Sequence, residues 1–224
     1  MICKIIDTPT GNDYIEMRAK GFEEISPQRK YHGISTQIIA QIKNVRVPFN
    51  VDIGVGDIIV PRAEERTINT QLPDFEAPVI KTYSLESTIA EKFDAILQRF
   101  ELTGRMKDFY DIYYLSRTFD FEGEKLQAAI FETLQRRGTP YDRDSFKHVV
   151  ALADDEDMQK RWKFFLKTIK DNTLEFSVVI AEIQTFLEPV FDAIANEDEW
   201  QNIWKSNAKK WSNLKGGIDR DKSS

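Results

Sequence analysis

The chain has 224 residues, 41% of them hydrophobic and 30% charged, with a formal net charge of −6, the make-up of a folded protein with room for one or two packed domains. One cysteine and two histidines exclude an internal disulfide and make an ordinary zinc site or a Ser-His-Asp hydrolase poor readings, while the acidic balance argues against a protein that coats nucleic acid through counterion release. No apolar run approaches the ~18 residues of a membrane span and the opening Met1–Ile6 stretch is too short for a signal peptide, so a reducing cytoplasm is the expected location.

The first third reads as β-structure. Residues Ile15 to Ile25 suit a strand interrupted at Gly21. Ile34, Thr36, Ile38, Ala40 and Ile42 then alternate with Ser35, Gln37, Gln41 and Lys43, the period of a half-buried strand. Lys43-Asn44 has the composition of a tight turn. After it Val45, Val47, Phe49, Val51, Ile53 and Val55 alternate with Arg46, Pro48, Asn50, Asp52, Gly54 and Gly56. Two such strands predict an antiparallel hairpin, with Pro48 marking an edge or a bulge. Asp57 reads as a strand end. Pro61, Pro73 and Pro78 make the stretch between them irregular.

Beyond Pro78 the pattern is helical nearly to the end. Helices are expected over about Ser84–Glu101, Gly104–Phe119, Gly123–Arg137, Asp144–Leu152, Asp155–Lys170 and Glu175–Asn196, with a looser one over Glu199–Trp211. The polar tail from Leu214, with Gly216-Gly217, reads as disordered. The expected organisation is α+β: a β-rich region over 1–80, a helical bundle over 81–212 and a tail over 213–224. The helix at Asp155 opens with acids and continues with Lys160, Arg161, Lys163, Lys167 and Lys170. That order complements the helix dipole, the preferred reading, although such a face also suits RNA. Trp162, Phe165, Leu166 and Ile169 are spaced as a core face, and His32 and His148 need no functional reading.

Three charges carry the functional question. At about 100° per residue, Leu85, Ile89, Phe93, Ile96 and Phe100 form one apolar helix face. Lys92 falls in register with it. On the next helix Ile112, Leu115 and Phe119 form a stripe that Asp108 continues backwards. A half-buried ion costs several kcal/mol unless paired. Lys92 is therefore a phosphate ligand, a snorkelling lysine or one half of a direct pair with Asp108. Asp108 is a base, a metal ligand or a carboxylate favoured by its helix N-terminus. Lys107 and Asp111 make an i,i+4 pair. Asp52 lies on the polar face of its strand beside small Asn50 and Gly54, either as a hard-cation ligand or as a solvated aspartate.

The runs Val51-Asp52-Ile53-Gly54-Val55-Gly56-Asp57, Tyr83-Ser84-Leu85-Glu86-Ser87 leading into Ala90-Glu91-Lys92, Arg105-Met106-Lys107-Asp108-Phe109-Tyr110-Asp111 and Arg136-Arg137-Gly138-Thr139-Pro140 resemble, in that order, the AbiEii/AbiGii family. These are nucleotidyltransferase-like toxins of type IV toxin–antitoxin and phage-defence systems. The resemblance implies a partial nucleotidyltransferase sheet, antiparallel or mixed, followed by a helical bundle. It implies transfer of a nucleotide from a nucleoside triphosphate to a tRNA or other RNA acceptor with Mg²⁺ clamping the phosphates, and a cognate antitoxin as partner. Carried over by position, Asp52 is the metal-binding carboxylate, Lys92 the lysine facing the phosphates and Asp108 the aspartate needed for transfer. Glu91, Arg105, Lys107 and Asp111 support nucleotide binding.

The family's Gly-rich turn and Asp-x-Asp strand have no counterpart ahead of Asp52. Asp142-Arg143-Asp144, Asp155-Glu156-Asp157 and Asp219-Arg220-Asp221 lie among helices or in the tail and read as decoys. One carboxylate does not hold two Mg²⁺ ions strongly. The expectation is a truncated or split member, weakly active or inactive alone, with an exposed sheet edge open to self-association. The alternative is a non-catalytic module that binds an antitoxin or RNA.

Overall fold

A computed structural model describes residues 2–8, 14–25, 33–54, 59–71, 74–100 and 104–213. The expectations for His32, Asp57, the end of the second hairpin strand and the tail from Leu214 lie outside these residues. Chain contacts divide the protein into two compact units, residues 1–57 and 58–224.

In the first unit a short helix α1 (Ile2–Ile6) precedes strands β1 (Glu16–Ile25), β2 (Gly33–Ile42) and β3 (Val45–Gly54), an antiparallel sheet in the order β1-β2-β3. The hairpin register is the one the alternation predicts: Ile42 pairs with Val45 across Lys43-Asn44, and Pro48, on the edge strand, faces Ile39. Lys43 takes the left-handed conformation at the turn, with φ 51°. In β1 the register slips between Ala19 and Phe22, so Lys20 and Gly21 together oppose Gln37. This bulge sits at the interruption read from the sequence, and Thr36 Oγ1 donates to Gly21 O at 2.6 Å across it.

The second unit opens with two paired strands, β4 (Glu64–Thr67) and β5 (Val79–Thr82). The expectation of irregular chain between Pro61 and Pro78 is thus corrected for residues 64–67. Pro61 and Pro78 flank these strands rather than interrupt them, and tertiary pairing decides so short an element.

Helices α2 (Leu85–Leu97), α3 (Met106–Thr118), α4 (Gly123–Arg137), α5 (Ser145–Ala151), α6 (Glu156–Ile169) and α7 (Phe176–Asn196) follow, with a 3₁₀ turn after α5. They match the predicted helices to within a few residues. Long α7 packs against α3, α4 and α5, and Val179, Ile183, Phe186, Leu187, Val190 and Phe191 on it are fully buried. The α3 stripe runs through Met106, Phe109 and Ile112. Phe119 lies past the helix end and is 39% exposed, which corrects its place in that stripe.

The expected helix over Glu199–Trp211 is instead a hairpin, β7 (Ile203–Lys205) and β8 (Lys210–Ser212), added to a two-residue strand β6 (Phe121–Glu122). Its aromatics explain the difference. Trp204 packs tilted against Phe186 with ring centroids 4.9 Å apart and donates Nε1–H to Ser116 O at 2.6 Å, and Trp211 Nε1–H donates to Phe186 O at 3.0 Å. Extended chain delivers both indoles to the end of the bundle with their N–H groups satisfied.

Candidate functional site

Local sequence fixes α2 before any tertiary contact does. Ser84 caps it, its Oγ accepting from Ser87 N at 3.0 Å. The same two serines hold the chain ahead of the helix: Ser84 Oγ donates to Val60 O at 2.5 Å, and Ser87 Oγ accepts from Val60 N at 2.8 Å. The Ser-x-x-Ser run is thus a cap and a clamp.

The helix then sends two groups of charges in different directions. Toward α3, Lys92 donates from Nζ to Asp108 Oδ1 at 3.4 Å and lies 2.6 Å from Asp111 Oδ2. Asp111 Oδ2 also accepts from Lys107 Nζ at 2.6 Å, and Arg105 Nε lies 2.8 Å from Asp108 Oδ2. The side chain of Asp108 is only 5% exposed and that of Lys92 19%. Three cations, Lys92, Arg105 and Lys107, thus share two carboxylates. Asp108 Oδ2 is buried and makes no hydrogen bond; Arg105 is close enough for ionic attraction but off the hydrogen-bond line. Of the sequence alternatives for Lys92, snorkelling into solvent is overturned, since the ammonium is held between α2 and α3. It bridges two acids rather than Asp108 alone.

Toward α4, Glu91 pairs with Arg137, whose Nη1 is also 3.5 Å from Asp94 Oδ2. Asp94 is fully buried. Its carboxylate accepts from Thr139 Oγ1 and from Gln98 Nε2, the latter at 3.0 Å. Gly138, in the left-handed region with φ 62°, ends α4 and swings Thr139 over Asp94, with Thr139 N bonded to Leu134 O at 3.0 Å. The Arg-Gly-Thr run is therefore a latch between α2 and α4. Glu91 belongs to this latch and not to the Lys92 cluster. Asp94, Arg137 and Thr139 were not among the candidates from sequence. A signal existed: Ser87, Ala90, Asp94 and Leu97 form a second buried stripe at helical spacing.

Asp52 lies in the first unit. On the polar face of that sheet Glu23, Ser35 and Asp52 form one row across the three strands. Ser35 Oγ donates to Asp52 Oδ1 at 2.6 Å. Glu23 and Ser35 of that row, with Lys20, Gly21, Gln37 and Asn50, line a polar hollow of about 440 Å³; Asp52 is not in its lining. Among the described residues no group of three or more His, Cys, Asp or Glu side chains is placed to hold a metal ion, so these residues do not by themselves fit a resident Mg²⁺. Asp155 has a structural task, capping α6 by accepting from Met158 N at 2.7 Å, and Asp142 accepts from Asp144 N at 2.9 Å in a turn. Both decoys are explained without a ligand.

A family model for the nucleotidyl transferase AbiEii toxin of type IV toxin–antitoxin systems matches residues 2–205. No curated protein matches the chain.

Proposed function

This chain belongs to the AbiEii family of nucleotidyl transferase toxins from type IV toxin–antitoxin systems, and on that premise we propose that Lys92 meets the phosphates of a nucleoside triphosphate during transfer of a nucleotide to an RNA hydroxyl. One observation supports this most: a largely buried lysine held between two carboxylates, in a cluster where cations outnumber acids by three to two. A phosphate oxygen competes for the ammonium by displacing Asp111, the more exposed acid, while Asp108 keeps Lys92 in place.

In the proposed reaction the RNA hydroxyl oxygen bonds to the α-phosphorus. The bond from that phosphorus to the α–β bridging oxygen breaks, pyrophosphate leaves with the electron pair, and the hydroxyl proton passes to solvent. Lys92 is the catalytic residue, because it touches phosphate. Asp108 and Arg105 are positioning residues; Lys107 and Asp111 set how firmly Lys92 is held, and Glu91 orients α2 through Arg137. Asp52 offers one oxygen ligand to Mg²⁺. Because one carboxylate binds that ion weakly and no metal-holding group is placed among the described residues, the expected transfer is weak. A cognate antitoxin opposes the toxin in a phage-defence role. Pairing of copies through the β1 or β3 edge is the proposed route to an oligomer.

The second reading, a non-catalytic module that binds antitoxin or RNA, is favoured by the missing metal-holding group among the described residues. Incorporation of an α-labelled nucleoside triphosphate into tRNA with Mg²⁺ separates the two. Low but measurable incorporation, reduced about tenfold or more by Lys92→Ala, is expected. Incorporation indifferent to that substitution contradicts the role of Lys92, and none in the wild type transfers the case to the second reading.

A further inference from the structure

We infer that the groove between the start of α3 and the outer face of α6 docks a single-stranded RNA end, with an unpaired base stacked on Phe164. The inference rests on the transferase reading for why an RNA end is brought to this place. The groove has a volume of about 540 Å³, and its walls include Arg105, Lys107, Lys160, Arg161, Phe164 and Phe165.

Phe164 is the residue that the rest of α6 does not explain. Trp162 and Leu166 are buried. Phe165 packs on Tyr110 at 5.8 Å and on Trp162 at 5.3 Å. Phe164 is 72% exposed. On a helix its surface neighbours are three and four residues away, which are Lys160, Arg161, Lys167 and Thr168. Complementing the helix dipole accounts for the bases but not for an aromatic ring set among them. A ring surrounded by cations offers a face for a base and charge for the phosphates on either side of it.

The partners of Lys160 do not block this use. Glu156 and Asp157 lie 3.8 and 3.0 Å from Nζ, and all three side chains are well over half exposed, so these pairs are weak and exchange readily for phosphate. The groove also shares Arg105 and Lys107 with the cluster around Asp108 and Asp111. A strand lying along it is led toward Lys92. Four cationic side chains, Arg105, Lys107, Lys160 and Arg161, thus border this groove in a chain whose net charge is −6. An acidic protein segment matches that charge but makes no use of the ring face, and a duplex keeps its bases stacked internally.

The test measures fluorescence anisotropy of the full chain with an end-labelled single-stranded RNA and with a blunt duplex of the same sequence. Wild type, Phe164→Ala and Phe164→Trp are compared, and nucleoside triphosphate binding is measured for each. The expected result is preference for the single strand and about tenfold weakening in Phe164→Ala, within the range one base–ring stack provides. Phe164→Trp restores binding, and triphosphate affinity is the same in all three. Unchanged RNA affinity in Phe164→Ala, equal binding of the duplex or no RNA binding overturns the inference. So does a poly-glutamate peptide that displaces the RNA at matched ionic strength, which assigns the groove to an acidic protein. RNA binding that follows Phe164 with no triphosphate bound keeps the docking surface and removes the transferase reading.

Discussion

Asp94 and Asp108 are both buried carboxylates on neighbouring helices, but their partners differ. Asp94 has no exposure and meets Arg137, Thr139 and Gln98. Removing it takes the carboxylate acceptor from Thr139 and Gln98 and leaves Arg137 to Glu91 inside the α2–α4 interface, which costs about 3–5 kcal/mol. Asp108 shares Lys92 with Asp111, and its other cation, Arg105, is water-accessible, so its loss costs about 1–3 kcal/mol. Urea unfolding of Asp94→Ala and Asp108→Ala is predicted to rank them in that order; equal or reversed costs contradict the division into latch and site. Lys92 and Asp108 were legible because each interrupts an apolar stripe where a charge is expensive. Asp94 was harder to read, since the stripe it shares with Ser87, Ala90 and Leu97 has the helical spacing but too little apolar bulk to mark a buried face.

At the scale of elements, the alternating strands and the amphipathic helices declared themselves through their periods. The β7–β8 hairpin did not, because three-residue strands have too few alternations to read and draw their stability from neighbours. Two contacts fix that hairpin. A Cβ on Gly123 would lie 2.6 Å from Asn202 O and 2.8 Å from Trp200 O, atoms of the backbone that cannot swing aside. Gly123→Ala is predicted to destabilise by about 1–3 kcal/mol and to shift tryptophan emission. A variant as stable as wild type contradicts the close packing. The second contact is Asp120, whose Oδ1 accepts from Ser206 N at 2.8 Å and whose Oδ2 meets Lys205 Nζ at 3.0 Å. The Ser206 N–H first, and Lys205 next, hold its carboxyl below the ordinary value of 3.8. The unfolded chain then takes up the proton first as pH falls. The stabilisation is full above the ordinary carboxylate range and fades below it, as pH falls through the depressed folded value. Asp120→Asn is predicted to lower stability at pH 7, with the gap from wild type closing as pH drops below about 4. A gap that is constant or widens on acidification contradicts this role.

For the molecule as a whole, the α+β make-up and the family followed from ordered motifs, and the structure supplies the reason for several of them. The Ser84–Ser87 run is a cap and clamp, Arg137–Thr139 a latch, and Arg105–Asp111 the charged start of α3. Net charge was a weaker guide. At −6 it describes the average surface and does not register the four cationic side chains that border the groove between α3 and α6. No described helix is long and apolar enough to cross a membrane. The account turns on Lys92 as the group that receives nucleotide phosphate. Calorimetric titration of the full chain with each nucleoside triphosphate, for the wild type and for Lys92→Gln, tests it most directly. The account predicts binding of at least one triphosphate that weakens about tenfold in the variant, as expected for loss of one charge-assisted contact, measured below the melting temperature of both proteins. Equal affinities, or no triphosphate bound by the wild type, contradict it.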